Sequence, residues 1–195
     1  MDPSSYMELL TGHAPRPGIQ KFFEEIEEAN RNGKPLTILL EAPTSYGKTE
    51  ASIALAAWLV KESSLAERLI HILPFRAIVE ESYDTAKSSL EQHLPEVTVG
   101  AQAMHILDAE KSPFFLRRLV YTTIDSFIYN LFKLPVAEAE RDYSHFDIPR
   151  YAIYSAFPVL DEAHYFAGDD PAFRDPIEHQ NRMFAAFRAG LGALA

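Results

Sequence analysis

LLEAPTSYGKTEAS, residues 39–52, runs from an apolar stretch through a turn ending in Gly-Lys-Thr into a helix-forming stretch. A loop that holds phosphate needs backbone N–H groups converging at a helix N-terminus and a glycine where the chain passes closest to the anion. It also needs a lysine that reaches the outer phosphates and a hydroxyl for Mg²⁺. Gly47, Lys48 and Thr49 meet the last three requirements. The usual pattern begins with glycine, and here the first position is Ala42, which is small enough not to crowd the turn that Pro43 helps to fix. The plain alternative is a chance Gly-Lys-Thr in a strand-to-helix turn. The order of strand, spacing and helix argues against it. Ala42, Thr44, Gly47, Lys48 and Thr49 are therefore the candidate nucleotide-binding residues, with ATP and Mg²⁺ as the expected cofactors.

A second signal comes much later, in FPVLDEAHYF at 157–166. An apolar strand ending in two acids puts carboxylates at the C-terminal edge of a sheet, the edge at which phosphate loops open. Asp161 is then suited to hold Mg²⁺ through its water shell, and Glu162 to orient and deprotonate an attacking water. Alone, four letters are a weak match, equally read as a solvated strand end before a helix cap. Combined with the phosphate loop in the right order, they become a strong one.

Composition narrows the remaining possibilities. A chain of 195 residues fits one domain, and at this length folding buries roughly 70% of the surface of the unfolded chain. Without cysteine there is no disulfide framework or thiolate metal site, which is compatible with a reducing interior, and a cytoplasmic location is expected. MDPSSYMELL lacks the basic start and long apolar run of a signal peptide, and the longest apolar run, IALAAWLV at 53–60, is too short to span a membrane. A formal charge of −10 argues against binding nucleic acid through the overall field, so contacts with it should be local or shared with a partner.

Apolar segments at 36–41, 69–73, 97–100, 119–122 and 158–161 predict buried strands. Helices are expected at 18–30, 49–61, 76–92, 125–133 and 178–191. Such alternation predicts an α/β fold with a mainly parallel sheet covered by helices on both faces. The charged, proline-bounded region 134–150 reads as a surface excursion.

APTSYGKT and LDEAH resemble motifs I and II of superfamily 2 helicases, in which alanine commonly replaces the first glycine. LTGHAPRPGIQKFF (10–23), ILPFRAIVEESYD (72–84), VYTTIDSFIYNLFK (120–133) and RYAIYSAFPVLDEAHYF (150–166) are similar to the first motor domain of the CRISPR-associated helicase of type I systems. The resemblance covers nearly the whole chain and implies a RecA-like P-loop NTPase domain over 1–195 that acts on single-stranded DNA with a Cascade-type complex. It assigns Gln20 to the adenine edge, although a surface helix residue is an equal reading. It also places Pro74, Phe75 and Arg76 and the pair Thr122 and Thr123 along the DNA, the pair being equally readable as a helix cap. His164 would couple the nucleotide site to the DNA-binding elements. Backbone N–H groups and hydroxyls hold phosphates without a large positive field, which reconciles this assignment with the acidic composition.

Departures from the family pattern carry their own expectations. No His-Asp pair is present, so an HD nuclease should be a separate protein, as in the type I-A form. MFAAFRAGLGALA at 183–195 looks like the helix before the motif III strand. That strand, the second motor domain and its arginine fingers have no counterpart, which predicts two apolar strands without their shared neighbour, in a truncated product or fragment inactive by itself. A stand-alone P-loop switch and a non-catalytic docking module remain the alternatives.

Overall fold

The computed structural model describes residues 1–33, 36–103, 109–133, 145, 147–163 and 192. Its elements, in order, are α1 (Pro3–Thr11), α2 (Pro17–Asn32), α3 (Lys48–Lys61), β1 (Arg68–Leu73), α4 (Arg76–His93), β2 (Val99–Gln102), β3 (Leu119–Thr123), α5 (Ile124–Leu131), α6 (Asp147–Tyr154) and β4 (Ala156–Leu160). The strands form one wholly parallel sheet in the order β2-β3-β1-β4. With helices on both faces, this is a RecA-like α/β arrangement.

Sequence patterns account for the layering. β1, RLIHIL, is buried along its whole length, as a central parallel strand must be. Its side chains alternate between two cores. Leu69 and Leu73 join α1, α2, α3 and α4 on one face, while Ile70 and Ile72 meet Phe127 and Leu131 of α5 and Ile153 of α6 on the other. α3 is apolar nearly all round and buries every residue from Ala51 to Leu59, so it forms the centre of its layer.

Three expectations need correction. Residues 36–41 form no strand. They run with alternating exposure, Leu36, Ile38 and Leu40 packing on the core and Leu39 87% exposed. The two-residue period is that of a strand, but a strand needs a ladder, and none of the described strands pairs with this segment. The second correction is a pair of shifts: β2 begins at Val99 rather than at 97, and β4 spans Ala156–Leu160 rather than 158–161, so Asp161 follows the strand. The third is α6, which occupies the end of the stretch read as an excursion. Pro149 stands in its first turn, where a missing N–H costs little. The expected helix at 178–191 lies outside the described residues.

β4 is partly exposed along its length and bonds to β1 alone among the described strands. Asp161 N–H donates to the Ile72 carbonyl, so by period two the N–H groups of 157 and 159 also face β1 and that of 158 would face outward. Pro158 thus withholds its donor only from the open edge, where proline is tolerated in a sheet. Because all four strands are parallel, Leu73, Gln102, Thr123 and Leu160 end on one edge of the sheet.

Candidate functional site

At that edge the turn 44–47 delivers the chain into α3. Gly47 is the helix N-cap with φ 98°, a left-handed value at which a side chain is strained, and the terminal methyl of Met7 would lie 3.3 Å from an added Cβ. No side chain caps α3, whose first backbone bond is Ala51 N–H to the Gly47 carbonyl. The N–H groups at the start of the helix therefore present a partial positive charge. Lys48 Nζ folds back and donates to the carbonyls of Ala42 (2.9 Å) and Pro43 (3.2 Å). An ammonium has three donors, so two brace the loop and one is left for an anion.

A cleft of about 650 Å³ opens here, and its walls include Thr44, Gly47, Lys48, Thr49, Asp161 and Glu162. Two elements far apart in sequence, the loop before α3 and the end of β4, thus meet at one cavity. Asp161 Oδ1 accepts from Glu162 N–H (2.9 Å) and Oδ2 lies 3.3 Å from His71 Nε2. The His71 contact is the main reason that the Asp161 carboxyl sits below its ordinary range. Burial opposes the shift, and the charge of Lys48 adds a smaller push in the same direction. Asp161 is accordingly ionised at neutral pH. A hydroxyl and an ionised carboxylate beside an open cleft are donors that Mg²⁺ uses together with phosphate oxygens and water, so Thr49 and Asp161 fit that ion. Glu162 takes φ 50°, an uncommon conformation for a residue with a side chain.

The other sequence-derived candidates lie elsewhere. Gln20, on α2, accepts from the Ser4 hydroxyl (2.7 Å) and donates to Glu24 (3.1 Å), and it does not line the cleft. Pro74 follows β1, Phe75 is the N-cap of α4 and Arg76 its first residue, on the same sheet edge. Thr122 is fully buried and its hydroxyl donates to the Gln102 carbonyl (2.6 Å). Thr123 is the N-cap of α5 but makes no side-chain cap bond, so the helix-cap alternative holds for it by position only. His164 lies outside the described residues.

Several residues of the cleft were not singled out from sequence. Arg16 and Tyr46 line it, the guanidinium 5.2 Å from the ring centroid, and the Tyr46 hydroxyl accepts from Gly18 N–H (3.2 Å). This contact ties the phosphate loop to the start of α2. A β-carbon on Gly18 would lie 3.1 Å from the Tyr46 hydroxyl, which explains a glycine there. The tyrosine within an otherwise small-residue turn was the available signal.

A family model described as DEAD/DEAH box helicase matches residues 20–191. The chain is also 32% identical over 152 residues to the CRISPR-associated helicase Cas3 of Thermoproteus tenax, across 71% of this chain and 25% of that protein. It therefore spans about a quarter of the length of this curated relative. With a parallel sheet, a Gly-Lys-Thr loop opening at its C-terminal edge and an Asp-Glu pair on the same cleft, the family match has the architecture that it requires, and the chain belongs to the DEAD/DEAH box helicases.

Proposed function

We propose that this chain is the ATP-binding motor domain of a CRISPR-associated DNA helicase that moves on single-stranded DNA. The observation that carries the reading is the meeting of Lys48, Thr49, Asp161 and Glu162 at one cleft. In this reading the uncapped start of α3 receives the phosphates, and Lys48 turns its remaining donor to the outer ones. Thr49 and Asp161 hold Mg²⁺, which supplies charge neutralisation on the phosphates when bound. Glu162 orients the attacking water and takes its proton. The left-handed backbone of Glu162 is braced by its own N–H on Asp161, which ties the position of this residue to that of the ion's ligand.

The DNA reading rests on family membership and on the shared sheet edge. α4 and α5 both begin there without a side-chain cap, so their first N–H groups are suited to backbone phosphates, with Pro74, Phe75, Arg76 and Thr123 beside them. Thr122 would contribute its position rather than its hydroxyl, which the sheet already uses. Gln20 would reach adenine only after releasing Ser4 and Glu24. His164 is assigned the coupling of the nucleotide and DNA sites. The likeness to a CRISPR-associated helicase supports a place in CRISPR interference against foreign DNA, with a Cascade-type complex and an HD nuclease as the proposed partners. No described helix is long and apolar enough to cross a membrane.

Calorimetry with ATP and Mg²⁺ tests the reading. Wild type should bind, and Lys48→Ala, with an unchanged circular dichroism spectrum, should show no detectable heat. Equal binding by the two would place nucleotide elsewhere or nowhere on this chain.

A further inference from the structure

One buried polar group lies just behind the cleft, and the roles proposed above do not use it. His71 interrupts the apolar run of β1 and is only 2% exposed, on the face where its neighbours Leu69 and Leu73 are leucines. Its ring stacks on Tyr121 of β3, the centroids 5.2 Å apart and the planes 28° from parallel. Packing alone would favour another leucine, because an imidazole brings two nitrogens that must be satisfied in the core.

Both nitrogens have partners, and the partners lead to the two residues assigned to Mg²⁺. Nδ1 lies 3.1 Å from Ser52 Oγ, which is 2.9 Å from the carbonyl of Thr49, one helical turn earlier on α3. Nε2 lies 3.3 Å from Asp161 Oδ2. The Ser52 hydroxyl has one proton, directed to either Thr49 or Nδ1. With that proton directed to Nδ1, the ring's own N–H sits on Nε2 and donates to Asp161 Oδ2; with it directed to the Thr49 carbonyl, Nδ1–H donates to Ser52 Oγ, and a ring carrying both N–H groups still donates from Nε2 to Asp161. Asp161 is then held at both oxygens, Oδ1 by the Glu162 N–H and Oδ2 by the ring, and each oxygen keeps a lone pair for the cleft.

We propose that Ser52 and His71 form a buried bracket joining α3, β1 and the end of β4, and that this bracket sets Asp161 at its working distance from Thr49. The inference rests on the nucleotide-site reading and deepens it. Neither residue touches nucleotide or reacting atoms, so both are positioning residues. Partners of this kind typically change metal affinity by about 10- to 100-fold when removed, because the ligand loses its fixed orientation.

Binding of Mn²⁺ to the chain with ADP, followed by electron paramagnetic resonance, tests the bracket beside ADP affinity measured in EDTA. His71→Phe keeps a ring against Tyr121 and removes both nitrogens. It should weaken Mn²⁺ binding about 10-fold or more and leave metal-free ADP affinity unchanged. His71→Gln, whose amide nitrogen can occupy the place of Nε2, should recover most of the loss. Ser52→Ala, the deletion of one oxygen, should shift Mn²⁺ affinity in the same direction by a smaller factor, and it decides the matter if His71→Phe does not fold. Unchanged Mn²⁺ affinity in the folded variants overturns the bracket, as does a parallel loss of metal-free ADP affinity, which would mark a role in packing alone. A wild-type chain that binds no ADP overturns the nucleotide-site reading itself, and the bracket with it.

Discussion

Asp161 carries the clearest pH-dependent consequence of any single residue. Its carboxyl lies below the ordinary value of 3.8, held there first by the His71 hydrogen bond, against burial, and then by the charges of His71 and Lys48 and the Glu162 N–H. A carboxyl whose folded value is depressed binds its proton more readily in the unfolded chain. The stability it contributes is therefore complete above 3.8 and is lost as pH falls through the folded value. Asp161→Asn should be less stable than wild type at neutral pH, and the gap should close on the acid side of 3.8. Urea melts of the two proteins from pH 7 down to pH 3 check this, and a gap that stays constant over the range would contradict it. That Lys48, Thr49, Asp161 and Glu162 share one cleft was legible in the sequence, because the chemistry of a phosphate loop and a carboxylate strand end dictates residue type and order. The engagement of Gln20 with Ser4, the burial of the Thr122 hydroxyl and the stacking of Arg16 on Tyr46 depend on which elements meet in space, and no local pattern encodes that. His71 was half legible: a histidine inside RLIHIL announces a buried polar group but not its partner.

At the scale of elements, 36–41 shows what hydrophobic pattern does and does not decide. Its alternation correctly gives one apolar side, and Leu36, Ile38 and Leu40 do pack on the core. Ladder formation is a property of two strands, and the second is not written in the first. The amides of Thr37, Leu39 and Glu41 should consequently exchange with solvent far faster than those of β1, whose N–H groups are sealed between two neighbours. Exchange mass spectrometry with peptides covering 36–41 and 69–73 measures this, and matching protection in the two would show that the segment is paired in solution. The outer edge of β4 has the same status, tempered by Pro158, which removes one of the donors that an added strand would use. α6 is not legible in the sequence, because charge and a proline read as loop signals. Both are ordinary in a first helical turn, where Asp147 also faces the positive end of the helix dipole.

For the molecule as a whole, two quantities set what these 195 residues should do unaided. The first is a net charge of −10, which on the proposed DNA-binding role would confine contacts to helix N-termini and a few side chains at one sheet edge. Binding to single-stranded DNA should be weak, without sequence preference and sensitive to salt. The second is the charge balance of phosphoryl transfer. Negative charge accumulates on the transferring group and leaving oxygen, and Lys48 with Mg²⁺ offsets only part of it. In other NTPases an arginine finger supplies the rest, at roughly 10³ to 10⁵ in rate. Besides Lys48, the arginine among the described lining residues is Arg16, and it is occupied over the Tyr46 ring beside the start of α2. The resemblance assigns the finger to a second motor domain that closes over the nucleotide. The 195-residue chain should therefore bind ATP and hydrolyse it negligibly, with no acceleration by single-stranded DNA. Supplying the second motor domain of a related helicase, fused or in trans, should raise the rate. A phosphate-release assay on the purified chain decides the point. Robust DNA-stimulated turnover that disappears in Glu162→Gln, and so does not come from a contaminant, would show that the chain carries a complete catalytic charge set of its own.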